Sequence, residues 1–166
     1  EDLKKLVFNT DKEQFSLQWF TYFHEDNLID WHLLLLLTNN DDGVFKNFYL
    51  YKENGFANFK FIPWDYDHSF GRDGNYELNL IDRPVDCMKV PLLKRLMEMP
   101  STEYAEHLTE RYLELRNTVF TEKALLELID KNEKAVRPMW KKTVRGGLWM
   151  AKAIGTQTIS IRRWLS

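Results

Sequence analysis

Residues 39–51 read NNDDGVFKNFYLY, and a second acidic knot, WDYDHSFG, follows at 64–71. Between them the pattern changes from helical spacing to aromatic and branched runs. Phe45 to Lys52 and Asn58 to Pro63 flank Glu53-Asn54-Gly55, a turn signal, so a β-hairpin is expected. In a regular first strand Asn47, Tyr49 and Tyr51 share one face and Phe48 with Leu50 the other. Like charges brought close repel, so Asp41, Asp42, Asp65 and Asp67 are either solvated turn residues or groups that hold a cation.

Upstream, Thr10-Asp11-Lys12-Glu13 has capping-box spacing and precedes Phe15, Leu17, Trp19, Phe20 and Phe23, which predicts a helix starting at Thr10. A second helix is predicted from about Asn27 to Thr38, buried on most sides because it carries Leu28, Ile29 and the run Leu33 to Leu37. After a loop at 64–88 the chain reads as helical. Leu92, Leu93, Leu96 and Met97 form one stripe, and Tyr104, Leu108, Tyr112, Leu115 and Val119 a second behind a Ser101-Thr102 cap; both read as core. Thr121 is the expected cap of a helix through Ala124, Leu125, Leu128 and Ile129, Gly146-Gly147 a break, and Ile159 to Leu165 a last short helix.

The 166 residues, 44% hydrophobic and 14% aromatic, fit one globular domain rather than a disordered chain. One cysteine, Cys87, leaves no intramolecular disulfide and no zinc site built from several cysteines. Leu33 to Leu37 is far shorter than the roughly 18 apolar residues of a membrane span, so no span is expected. Net charge is −2, yet residues 134–166 hold eight Lys or Arg and no acid. That segment is a solvated basic face or a docking surface for phosphate or an acidic partner. No RRM, KH or zinc-finger pattern accompanies it, and no nucleic-acid partner is assigned.

Several chemistries are excluded by spacing. Asp67 stands where a nucleophile elbow needs its first glycine. No H-E-x-x-H occurs, and His24, His32, His68 and His107 read as surface or partly buried residues. A calcium loop starting at Asp65 fails at position 6, where glycine is required, and at position 12, which is Tyr76 rather than Glu. Phosphoryl transfer, by contrast, needs a carboxylate to orient the attacking hydroxyl and oxygen ligands to hold Mg²⁺ against phosphates. Asp42-Gly-Val-Phe-Lys-Asn47 has the D-x-x-x-x-N spacing of a kinase catalytic loop, followed by a hairpin and then by Asp65.

With N-x-D at 40–42, N-x-Y-L-Y at 47–51 and P-W-D-x-D-x-x-F-G at 63–71, the stretch from Asn27 to Gly71 resembles the CotH kinase family; the remainder to Ser166 does so less specifically. The resemblance implies an α+β, mostly helical, protein-kinase C-lobe-like domain over 1–166 with a small β-hairpin, the N-lobe lying outside this chain. Its implied activity is transfer of the ATP γ-phosphoryl group, with Mg²⁺ or Mn²⁺, to Ser/Thr of protein substrates such as spore-coat proteins, at the spore coat or cell surface. It makes Asp42 the catalytic aspartate, Asn47 and Asp65 metal and nucleotide ligands, and Asp67 a further ligand or a buttress. No His-Arg precedes Asp42, and no glycine-rich loop or V-A-I-K lysine lies upstream. Two other readings stay open: a non-catalytic coat-assembly module, and a structural domain that binds a divalent cation.

Overall fold

Asp11, one residue beyond the expected Thr10, caps the helix that holds Phe15 and Trp19. Its carboxylate accepts a hydrogen bond from the Gln14 amide at 2.8 Å, while the Thr10 hydroxyl turns back to the Leu6 carbonyl at 2.6 Å. Thr10 is drawn away because a helix precedes it, a feature the capping box does not announce. The computed structural model describes residues 2–70 and 84–142, without the side chains of 139–142. In order these form α1 (Asp2–Asn9), α2 (Lys12–Tyr22), α3 (Glu25–Thr38), α4 (Asp42–Phe45), β1 (Phe48–Tyr51), β2 (Lys60–Pro63), α5 (Pro91–Glu98), α6 (Tyr104–Arg116) and α7 (Glu122–Lys142). The fold is α+β and mostly helical, with one two-stranded antiparallel sheet.

The chain divides into two compact units, one of residues 1–69 with 84–112, the other of 70–83 with 113–166. In the first, α3 is the central element. Leu28, Ile29, Trp31, His32, Leu33, Leu35 and Thr38 are all buried, so the expected burial on most sides is observed. Buried in the same unit are Phe15 and Trp19 of α2 and Leu92, Leu93 and Leu96 of α5, each 4% exposed or less. A fully buried side chain of this size contributes about 1.5–3 kcal/mol. Arg95 fastens α1 beside α5: its guanidinium donates to the carbonyls of Leu6 and Val7 at 3.1 and 3.0 Å and lies over the Phe15 ring. It thereby satisfies carbonyls that the end of α1 leaves unpaired.

The hairpin forms as expected, with Phe48 opposite Pro63, Tyr49 opposite Ile62, Leu50 opposite Phe61 and Tyr51 opposite Lys60. Asn54, in its turn, accepts from the Phe56 and Ala57 amides through its side chain. Phe61 packs inward against Trp31, the rings stacked with centroids 4.2 Å apart. Asn27 of α3 behaves as a substitute strand: its amide donates to the Phe61 carbonyl at 3.2 Å and accepts from the Phe61 N–H at 2.6 Å. The hairpin is therefore fixed to α3 by backbone bonds as well as by aromatic packing. Its first strand begins at Phe48 rather than Phe45, because 42–45 closes into the short α4.

The second long stripe is core only in part. Tyr104 and Leu108 are buried, but Tyr112 is 42% and Val119 53% exposed. A repeat of four residues drifts roughly 40° per step around a helix of 3.6 residues per turn, which carries Tyr112 out of the buried sector, and Val119 lies beyond the end of α6. Met97 is half-buried. In the second unit Thr121 caps α7 as expected, its hydroxyl accepting from the Ala124 amide at 3.2 Å. The Gly146-Gly147 break, the helix at 159–165 and most of the basic segment lie outside the described residues. Among the described residues no helix is long and apolar enough to cross a membrane.

Candidate functional site

The site starts where α3 stops. Asn39 adopts the left-handed conformation, φ 50° and ψ 45°, and its N–H bonds back to the Leu35 and Leu36 carbonyls. Asparagine tolerates this geometry better than most residues. Its side-chain oxygen accepts from the Val85 amide at 2.6 Å, which ties the segment after the loop to the end of the helix. Asn40 is fully buried, and its Oδ1 accepts from the Gly43 N–H at 2.8 Å, holding the first turn of α4. Its Nδ2 has no partner among the described residues.

Gly43 is required by space. A Cβ there would stand 2.6 Å from Leu35 Cδ2 and 3.2 Å from Asn40 Cγ. Leu35 is itself fully buried. Gly43→Ala is therefore expected to cost about 1–3 kcal/mol, the range for overpacking a filled interior. Urea unfolding of the variant beside the native protein measures the loss, and an unchanged midpoint would show that Leu35 can yield.

Asp42 emerges from this support with its side chain 28% exposed, its Oδ2 taking Lys46 Nζ at 3.0 Å and His68 Nδ1 at 3.2 Å. Its carbonyl accepts from the Lys46 and Asn47 amides, so the five-residue spacing of Asp42 and Asn47 is spent on one closed turn. Asn47 is 7% exposed. Its Nδ2 donates to the Asp65 carbonyl at 2.8 Å, and its own carbonyl accepts from the Trp64 amide at 3.0 Å. The two ends of the hairpin are thus bonded to each other at its base. Asp65 sits at φ 54°, a left-handed residue that turns the chain immediately after β2. The Ser69 hydroxyl donates to the Tyr66 carbonyl at 2.5 Å and closes the next turn. Burial pushes the Tyr66 hydroxyl up to about 12. It faces the Trp31 indole, though neither group reaches full hydrogen-bond geometry.

The four aspartates are resolved into separate roles. Asp41 pairs with Lys89 at 3.7 Å, Asp42 with Lys46 and His68, and Asp67 with His68 Nε2 at 3.5 Å. Asp65 makes no side-chain bond among the described residues. Lys89, Lys46 and the His68 ring stand between the carboxylates, and no group of three or more His, Cys, Asp or Glu among the described residues is placed to hold a metal. What the arrangement offers a cation is hard oxygen: the free Asp65 carboxylate, Asp67, and Asn47 Oδ1, left open because Nδ2 is committed. That donor type fits Mg²⁺, which takes one or two carboxylates and relies on phosphate and water for the rest. Sequence reasoning missed Asn39, Asn40 and His68. A side chain held by tertiary contact leaves little local signal, although Asn-Asn before Asp-Asp-Gly is compatible with a left-handed cap.

Fold and site together describe an α+β protein that gathers carboxylates and one amide around the base of a hairpin. The chain belongs to the CotH kinase protein family, which it matches over residues 1–152. It is similar to the inner spore coat protein H of Bacillus subtilis (strain 168), 32% identical over 74 residues, covering 43% of this chain and 20% of that protein. The matched part is thus about a fifth of that relative's length. No solved structure matches the chain.

Proposed function

We propose that this chain is the C-lobe part of an atypical protein kinase, which in its full-length form transfers the γ-phosphoryl group of ATP to Ser or Thr of protein substrates with Mg²⁺ or Mn²⁺. Spore-coat proteins are the substrate class suggested by the relative's name. The observation that carries the reading is the bond from Asn47 Nδ2 to the Asp65 carbonyl at 2.8 Å. It joins the two residues that would share a metal across the base of the hairpin, directly after the Asp42 turn.

In that reading Asn47, Asp65 and Asp67 hold the metal, which when bound neutralises charge on the phosphate oxygens. Asp42 does a different job. It accepts the proton of the acceptor hydroxyl and orients that oxygen in line with the phosphoryl group.

Calorimetry on the full-length protein tests the metal assignment. Nucleotide affinity should rise when Mg²⁺ or Mn²⁺ is added, and Asp65→Ala or Asn47→Ala should remove most of that gain, at least about tenfold or ~1.4 kcal/mol. An affinity unchanged by Asp65→Ala takes Asp65 out of the site. Radiolabelled phosphoryl transfer to Ser/Thr-rich acceptors decides between kinase and coat-assembly module: a well-folded full-length protein that binds nucleotide without any transfer is the latter.

A further inference from the structure

We infer that His68 is a positioning residue for Asp42, holding one oxygen of that carboxylate so that the other is presented to the acceptor hydroxyl. The inference rests on the kinase reading of the site. Both side-chain partners of Asp42 fall on the same atom: Lys46 Nζ and His68 Nδ1 lie 3.0 and 3.2 Å from Oδ2. Oδ1 has no bond to any described residue. A carboxylate gripped at one oxygen keeps a single orientation, and its second oxygen keeps its acceptor capacity.

The two grips differ in what they can enforce. Lys46 stands four residues along the same short segment and is 65% exposed, so its long side chain gains little by staying in one geometry. His68 arrives from the far side of the hairpin. Its loop is pinned by the Asn47–Asp65 bond at 2.8 Å and the Ser69–Tyr66 bond at 2.5 Å, and its ring has few torsions to lose. Its other nitrogen faces Asp67 Oδ2 at 3.5 Å. The ring therefore spans from the candidate base to the aspartate-rich loop, and the position of one is registered on the other.

The geometry gives two substitutions with opposite expectations. In Asn the side-chain amide nitrogen lies near the place of Nδ1; in Gln it reaches toward the place of Nε2. For the full-length protein with ATP, Mg²⁺ and a Ser/Thr-rich acceptor, His68→Ala should lower kcat by up to about 10²-fold, the scale of a small misplacement of a reacting group. Nucleotide affinity by calorimetry should stay within a factor of about two to three. His68→Asn should recover most of the rate and His68→Gln should not, and a crystal structure of His68→Ala should show the Asp42 carboxylate rotated. Wild-type kcat in His68→Ala, or equal rates for the Asn and Gln variants, would overturn the inference. Should the Ala variant melt early, the Asn and Gln pair still decides, since loss of packing alone affects both. Asp42→Asn is run in parallel: if it is inactive while His68→Ala keeps its rate, only His68 is misassigned, and if it is fully active the kinase reading fails and this inference with it.

Discussion

Asp42→Asn is expected to lower phosphoryl transfer by about 10²–10⁴-fold, the usual cost of removing a positioned general base, or about 3–5 kcal/mol in the barrier. Melting temperature and nucleotide affinity should hardly move. The substitution keeps the side chain's size, and the partners it affects, Lys46 at 65% and His68 at 36% exposed, are both open to solvent, a setting in which such pairs contribute about 1 kcal/mol or less. The backbone carbonyl of Asp42, which accepts from the Lys46 and Asn47 amides, is untouched. A turn aspartate without a catalytic role predicts a different result: a stability change within about 0.5 kcal/mol and an unaltered rate. Transfer rate, melting temperature and nucleotide affinity measured on the same variant separate the two, and a fully active Asp42→Asn protein removes Asp42 from the mechanism.

That contrast shows which parts of the site a sequence can carry. The order Asp42, Asn47, hairpin, Asp65 is one-dimensional, and it was legible because the strands are rich in aromatic and branched residues and their turn is marked by Asn54-Gly55. The bond that makes the order useful, Asn47 Nδ2 to the Asp65 carbonyl, is a side-chain contact one step off the hairpin register, and no pattern in the sequence announces it. His68 could not be found this way either. Its contact with Asp42 depends on the turn at Asp65, φ 54°, and on the Ser69–Tyr66 closure, neither of which leaves a periodic trace. Asn39 and Asn40 were hidden for a related reason. A left-handed cap and a buried asparagine acting as a helix start look, in sequence, like an ordinary polar turn.

The fold divides along the same line. α3 was readable because five successive leucines with Trp31 and Ile29 call for burial on most sides, although Leu36 stays 43% exposed. Helix α1, only eight residues long, was not; it is held by Arg95, which reaches its end from α5. Once α1 occupies the Thr10 hydroxyl, the cap of α2 passes to Asp11. Long-range bonds of this kind decide boundaries, while local periodicity decides the existence of an element.

Acid should weaken the first unit by way of one buried residue that the site depends on. His32 is 2% exposed; its Nδ1 lies 3.2 Å from the Tyr104 hydroxyl, and the two rings stack at 11°. Burial lowers its pKa from 6.5 to about 4. The unfolded chain therefore takes up a proton near pH 6.5 that the folded chain refuses until about pH 4. Stability conferred by neutral His32 is complete above the unfolded value and is lost as pH falls through that window, by about 3 kcal/mol in full. His107 does not mask the effect. Its pKa is raised, chiefly by the hydrogen bond to Glu25 at 2.6 Å, so its contribution is already complete below the unfolded value and is lost only as pH rises through the folded one. Urea unfolding at about pH 7 and about pH 4.5 should show an acid loss in the native protein roughly 2–3 kcal/mol larger than in His32→Gln, which keeps a polar partner for Tyr104 but does not titrate. Equal acid losses in the two proteins would show that His32 is protonated without penalty. Because α3 carries His32 and ends at Asn39, the same protonation loosens the helix from which Asn40 and Asp42 are aimed, and the acid limit of folding becomes the acid limit of the site.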